Sequence, residues 1–315
     1  MHISNIVNRS TDDLVAGTLT YCAQFLEKRK PRIYRTIIDN CRNIGSDVLK
    51  RDYYVPPSLE RMKYQPYDGA GIIAVNRTQQ EFCTRGRQMD AVIGRSRVRS
   101  KPALHFAVLF DNSDQMTAWA RTRMIGRKVP GKDAPSAFAK IAAIALLEEI
   151  CDAETRSLIT FGSDISADID VHGDIDYGAL LASDGAGCCR LDLALASLLR
   201  RRWDVRKGAR QLIILTGMPP GTGTGVLLDD IGVQETSLLY MRRMVREGVR
   251  ILYLPMLPQT GLIDTRIGAY TSRTFAQRVH ELRIAVSVIG RADTFVQALR
   301  GGIKQMLQQS QNQGC

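Results

Sequence analysis

The chain is expected to be an α/β protein: a doubly wound, mainly parallel sheet with a smaller helical region ahead of it. Two observations carry that expectation. Leu104–Phe110 reads LHFAVLF, a run without polar alternation, which suits a strand buried on both faces of a sheet. From there onward, strand-like apolar runs alternate with amphipathic helical stretches, the rhythm of crossover connections between parallel neighbours. A length of 315 residues, 44% hydrophobic and 24% charged, is that of an ordinary globular protein of one or two domains.

Taken in order, Thr11 to Lys30 places Leu14, Leu19, Cys22, Phe25 and Leu26 near helical spacing, with Ser10 or Thr11 as the N-cap. Pro31 stops that helix and opens a second, to Lys50, with Ile33, Ile37, Ile38, Cys41 and Ile44 along one face. Pro56-Pro57 demands a loop. Residues 58–103 then hold a candidate short helix at Thr78–Thr84 and a strand-like Asp90–Ile93. Beyond the Leu104–Phe110 strand, a helix is expected over Ala134–Cys151 and a strand over Ser157–Phe161. Leu191–Arg202 reads as helix, Gln211–Thr216 as strand, Thr236–Arg246 as helix and Val249–Leu254 as strand. Ser272–Val279 reads as helix, Arg283–Ile289 as strand and Ala292–Gln309 as the last helix. Val171–Ile175 is a candidate edge strand. Asp164, Asp168, Asp170, Asp174 and Asp176 lack the spacing of a calcium loop and read as a solvated loop. The expected division is 1–103, basic and mostly helical; 104–308, the α/β domain; and 309–315, a polar tail.

The net charge of +11 is concentrated early: residues 1–103 carry 18 Lys/Arg against 10 Asp/Glu. The densest strip is Arg85, Arg87, Arg95, Arg97, Arg99 and Lys101, opposed there only by Asp90. Such a strip can meet phosphates or an acidic protein, although it lacks the aromatic side chains that stack on bases, and a solvated linker is the plainer reading. No apolar run approaches the ~18 residues that span a bilayer, and the N-terminus carries no signal-peptide pattern, so a cytoplasmic protein is expected. The seven cysteines (22, 41, 83, 151, 188, 189 and 315) form no CxxC pair and are expected as free thiols. His2, His105, His172 and His280 are scattered without ligand spacing, and no Gly-x-Ser-x-Gly elbow is present.

Chemistry is concentrated where the first strand ends, in Asp111-Asn-Ser113-Asp-Gln115. A carboxylate and a hydroxyl at the carboxyl end of a buried strand stand where open α/β sheets bind ligands, and their hard oxygens suit Mg²⁺. The segment resembles Asp-x-Ser-x-Ser, the first metal-binding loop of a von Willebrand factor A domain, with Gln115 in place of the last Ser. The resemblance implies two more loops. Gly187-Cys188-Cys189 matches the second, with Cys189 where Thr is usual; Thr216-Gly217-Met218 matches the third, with Gly217 where Asp is usual. The implied metal positions are therefore Asp111, Ser113, Gln115, Cys189 and Gly217. A soft thiol and a missing carboxylate leave a poor octahedral oxygen set, so Mg²⁺ is expected to bind weakly or not at all.

Thr216-Gly-Met-Pro-Pro-Gly-Thr-Gly223-Thr-Gly225 also follows a strand and looks like the phosphate loop of AAA+ ATPases. Thr224 takes the place of the Lys that reaches the β/γ-phosphates, and Gly225 that of the Mg²⁺-binding hydroxyl, so ATP hydrolysis is not expected. A nucleotide-binding enzyme built on the 217–225 loop remains an alternative class.

The likeness extends along residues 104–308 through Leu158-Ile-Thr-Phe-Gly-Ser-Asp164 and Glu247-Gly-Val-Arg-Ile-Leu-Tyr-Leu254. In their order these segments resemble von Willebrand factor A proteins encoded beside MoxR-class AAA+ ATPases. That resemblance implies an adaptor rather than an enzyme, coupling the ATPase to a metalloenzyme target. The expected partner contacts are Asp114, Thr216 and Met218 at the sheet edge, with Arg95, Arg97 and Arg99 as a second contact. An RNA-binding protein using the basic N-terminal region is the other alternative.

Overall fold

The structure is a computed structural model that describes residues 10–49, 59–66, 72–73, 93–100, 103–114, 116, 135–150, 153–183, 185, 187–217, 219–222, 227–256, 274–289 and 294–309. The chain divides into two compact units, one of residues 1–54 with 103–315 and one of residues 55–102. No helix among the described residues is long and apolar enough to cross a membrane.

The larger unit opens with helix α1 (Thr11–Lys28). Ser10 caps it: its hydroxyl accepts from the Asp13 N–H, and the Asp13 carboxylate accepts from the Ser10 N–H. Arg29 ends it in the left-handed region, and Pro31 begins α2 (Pro31–Leu49) at the helical position where a missing N–H costs nothing.

The sheet of this unit has six strands: β4 (Leu104–Asp111), β5 (Thr155–Phe161), β6 (Ile165–Val171), β7 (Ala209–Thr216), β8 (Arg250–Pro255) and β9 (Ala285–Val286). Their order is β6-β5-β4-β7-β8-β9. Five run parallel and β6 is antiparallel at the edge. β4 is interior and buried at every position. Phe106, Val108 and Phe110 enter a core on one face, while Ala107 and Leu109 enter a second core on the other. That division explains why the strand carries no polar alternation.

Helix α3 (Pro135–Glu149) packs on the first face beside α8 (Phe295–Gln309), with the Phe138 and Phe295 rings 5.3 Å apart. The second face is covered by α5 (Leu191–Arg200), α6 (Leu227–Arg246) and a helix over 274–281, α7. A short helix, α4 (Gly178–Ala182), precedes α5. The N-terminal helices α1 and α2 belong to this unit and form a further layer over α3. Covered on both sides, α3 is buried almost all round, including Lys140, whose ammonium donates to the Leu181 and Ser183 carbonyls at 3.1 and 2.5 Å. Gly45 of α2 lies so close to α3 that a Cβ there would stand 2.3 Å from the Ala145 carbonyl oxygen.

Several element expectations need correction. Of the five aspartates read as a loop, Asp168 and Asp170 lie in strand β6, while Asp164, Asp174 and Asp176 flank it in irregular segments, and the edge strand lies over 165–171 rather than Val171–Ile175. The apolar alternation of β6 (Ile165, Ala167, Ile169, Val171) had been obscured by the intervening charges. Those charges are paired: Asp168 accepts from Ser197 at 2.6 Å and bridges to Arg201, while Asp170 accepts from Ser157 at 2.8 Å and Arg206 at 2.5 Å. Helix α6 begins at Leu227 instead of Thr236, and the last strand shrinks to Ala285–Val286 plus a bridge between Met256 and Ile289.

The second unit is a three-stranded antiparallel sheet of β1 (Leu59–Pro66), β2 (Ile72–Ile73) and β3 (Ile93–Ser100), in the order β1-β3-β2. Arg95, Arg97 and Arg99 occupy alternate positions of β3, opposite Tyr64, Met62 and Glu60. The helix expected at Thr78–Thr84, and residues Arg85, Arg87, Asp90 and Lys101, lie outside the described residues.

Candidate functional site

The parallel strands β4 and β7 run side by side, so their last residues, Asp111 and Thr216, meet at the carboxyl edge of the sheet. Asp111 is fully buried, and both of its carboxylate oxygens are engaged from within the chain. Oδ1 accepts from the Ser113 N–H at 2.8 Å; Oδ2 accepts from the Thr216 hydroxyl at 2.9 Å and the Gly217 N–H at 3.1 Å. Cys189, just ahead of α5, places its sulfur 3.5 Å from the Thr216 oxygen. Tyr253 of β8 is buried against the same cluster.

Burial dominates the electrostatics. It raises the Asp111 carboxyl above its ordinary range against the pull of the Gly217, Ser113 and Thr216 donors. Burial, then the Asp111 charge, push the Cys189 thiol well above its usual range, so the sulfur is a protonated thiol at neutral pH. The Tyr253 phenol is raised by burial in the same way. The Ser113 hydroxyl is buried beside the same carboxyl and adds to the pull that opposes burial.

Four of the five expected metal positions, Asp111, Ser113, Cys189 and Gly217, gather here; Gln115 lies outside the described residues. Their chemistry does not fit Mg²⁺. The one carboxylate faces N–H and O–H donors with both oxygens, the sulfur is a neutral thiol, and position 217 has no side chain. The space above Gly217 is also filled. A Cβ at 217 would come within 2.7 Å of the Met116 sulfur, and Met116 is wholly buried. The thioether therefore stands where a carboxylate from residue 217 would project. Among the described residues, no group of three or more His, Cys, Asp or Glu is arranged to hold a metal ion.

Backbone hydrogen bonds tie the upper loops into one edge. The Asp114 N–H donates to the Gly187 carbonyl at 2.9 Å, the Gly221 N–H to Cys189 at 3.0 Å, and the Arg190 N–H to Gly162 at 3.0 Å. Gly187 has φ of +72° with the Ser163 hydroxyl against its α-carbon, a place no side chain can share. Ser163, Asp164 and Gly187 are exposed, and Asp114, Cys188 and Arg190 are half-buried. Of the expected partner contacts, Asp114 is thus at the rim, whereas Thr216 is wholly buried with its hydroxyl on Asp111. Met218 lies outside the described residues, and Arg95, Arg97 and Arg99 are in the other unit.

The glycine-rich loop is also internally engaged. Asp230, in the first turn of α6, accepts from the Thr222 N–H at 2.6 Å and the Thr222 hydroxyl at 3.1 Å. A carboxylate already lies against Thr222 where a phosphate cradle would turn its donors to an anion. Residues 223–226 lie outside the described residues. Sequence reading missed Met116, Asp230 and Tyr253. Only Asp230 carried a signal, as an acid in the first turn of a helix.

No family model matches the chain, and no curated protein matches it. Solved structures give distant likenesses. The PilB minor pilin from Streptococcus sanguinis is 8% identical, with a TM-score of 0.47 over 70% of this chain and 64% of that one. The pilus adhesin SpaC from Lactobacillus rhamnosus GG is 13% identical, with a TM-score of 0.44 over 65% of this chain and 30% of that one. BatB, a conserved hypothetical protein from Bacteroides thetaiotaomicron, is 12% identical, with a TM-score of 0.40 over 65% of this chain and 100% of that one. This chain thus spans less than two thirds of the minor pilin, and likenesses at these scores carry no functional argument.

Proposed function

We propose that this chain is an interaction module of von Willebrand factor A type that recognises a protein partner through the loops at the carboxyl edge of its sheet. The supporting observation is the closed Asp111 cluster. Both oxygens of its carboxylate accept from internal donors, three in all, and Met116 covers it at Gly217, so the edge is built as a framework rather than as an open reactive centre. Around it, Ser163, Asp164 and Gly187 form an exposed rim on loops that hydrogen bonds hold in place. A preorganised polar rim loses little freedom on docking, which favours recognition.

The partner we propose is a MoxR-class AAA+ ATPase together with its metalloenzyme target, and the compartment is the cytoplasm. The arginines at 95, 97 and 99 supply a second, electrostatic contact. The test is capture from the native host with the tagged chain and with Asp164→Arg at the rim. Recovery of such an ATPase, reduced at least about tenfold by Asp164→Arg, is the expected result. Capture indifferent to the rim change overturns the assignment of the surface. ATP turnover by the purified chain, abolished by substituting Gly221 or Gly223, overturns the module in favour of an enzyme.

A further inference from the structure

We infer that the outer face of α6 is a self-association surface and that its occupant is a second copy of this chain. At about 100° per residue, Leu228, Ile231, Glu235, Leu239 and Arg242 fall within about 80° of arc on this helix. That stripe is solvent-facing, with Leu228 77%, Ile231 41% and Leu239 59% exposed. Isolated exposed apolar residues need no explanation; two leucines and an isoleucine aligned on one helix with a groove beside them do. The groove has a volume of about 600 Å³ and runs between α6 and α7, with Leu238 and Leu282 among its lining and Leu239 on its rim.

Charge decides the occupant. The groove is lined by Glu235 and Glu281 against Arg242 and Arg278, a balanced set that does not select a strongly acidic or basic peptide. The order along α6 is self-complementary. A two-fold axis crossing the helix between Leu238 and Leu239 sets Glu235 of one copy opposite Arg242 of the other, and the reverse. Both ion pairs follow from one symmetry operation, as an isologous interface requires. The same axis places each Leu239 over the partner's groove, and each Ile231 against the aliphatic stem of the partner's Arg246. Arg278 donates to Glu235 at 2.5 Å, which holds the Glu235 carboxylate in place on the groove wall. This interface lies on a different element from the loops proposed to bind a partner protein, so either can fail without the other.

The test is sedimentation velocity of the whole chain from micromolar to hundred-micromolar concentration, with matched circular dichroism of each variant. The chain is expected to dimerise as concentration rises, and Leu239→Lys to be monomeric across the range. Arg242→Glu sets like charges opposite each other twice and should weaken association at least about tenfold, while the swap Glu235→Arg with Arg242→Glu, made together with Arg278→Glu so that position 235 keeps an opposite charge beside it, should restore it. A wild-type monomer throughout overturns the proposal and leaves the groove to a segment of the same chain or to a different protein. A dimer insensitive to Leu239→Lys overturns it by locating association elsewhere. Failure of the swap to restore association overturns the antiparallel pairing.

Discussion

Replacing Asp111 tests whether the carboxylate is the internal hub of the sheet edge or a group reserved for an outside ligand. Asp111→Ala removes the acceptor of three donors: the Ser113 N–H, the Gly217 N–H and the Thr216 hydroxyl. The hydroxyl can rotate toward Cys189, 3.5 Å away, but the two backbone N–H groups are fixed. Each stranded buried donor costs about 1–3 kcal/mol, so Asp111→Ala is expected to lose about 2–6 kcal/mol. Asp111→Asn keeps one acceptor and turns an NH₂ toward the donors on the other side, for a loss of about 1–3 kcal/mol. Relief of a buried charge opposes both losses and favours the lower end of each range. Set against a typical total of about 5–15 kcal/mol, either loss is measurable. The assay is urea unfolding, read as a lower midpoint at unchanged slope. Equal or greater stability of Asp111→Asn would refute the hub, since a group held in strain for a ligand is the kind whose removal stabilises a fold.

Four further expectations are as direct. Millimolar Mg²⁺ should leave the melting temperature unchanged; a rise that vanishes in Asp111→Ala would show a working metal site. Gly217→Ala should destabilise by about 1–3 kcal/mol through contact with the Met116 sulfur, and Met116→Ala with Gly217→Ala should cost less than the sum of the two, as a double-mutant cycle in urea would reveal. Gly17 of α1 has open space at its Cβ position, so Gly17→Ala should stabilise by about 0.5–1 kcal/mol. Gly45→Ala, although it raises helix propensity equally, should destabilise by about 1–3 kcal/mol because the Ala145 carbonyl is 2.3 Å from the added carbon; parallel thermal melts compare the two. Burial would raise the Asp170 carboxyl, but the Arg206 guanidinium and the Ser157 hydroxyl outweigh it and hold the group below the ordinary carboxylate range. Its stabilisation is therefore present above about pH 4 and lost as pH falls through the folded value, and the gap between wild type and Asp170→Asn should close in acid; a gap constant with pH would refute the assignment.

The succession of strands and helices after Leu104 was legible because each element announces itself locally. An unbroken apolar run needs two covered faces, and both faces of β4 are in fact packed. The edge aspartates of β6 were misread because Asp168 and Asp170 look solvated until the arginines and serines of distant segments are brought beside them. The apolar excess of α3 had no reading in sequence, since the layer of α1 and α2 that covers its outer side comes from a segment about a hundred residues earlier.

The candidate site divides in the same way. Sequence alone determined that Asp111 ends a buried strand, that a thiol and a glycine stand at the companion loops, and that the Lys of a phosphate loop is missing. Only the tertiary structure decided what those losses mean. It folded Met116 over Gly217, turned Thr216 and two backbone N–H groups onto the carboxylate, and set Asp230 against Thr222. The physical reason is that periodicity and turn chemistry act over a few residues and are written in consecutive letters. Filling a space or satisfying a buried charge joins groups far apart in the chain, and packing alone chooses them.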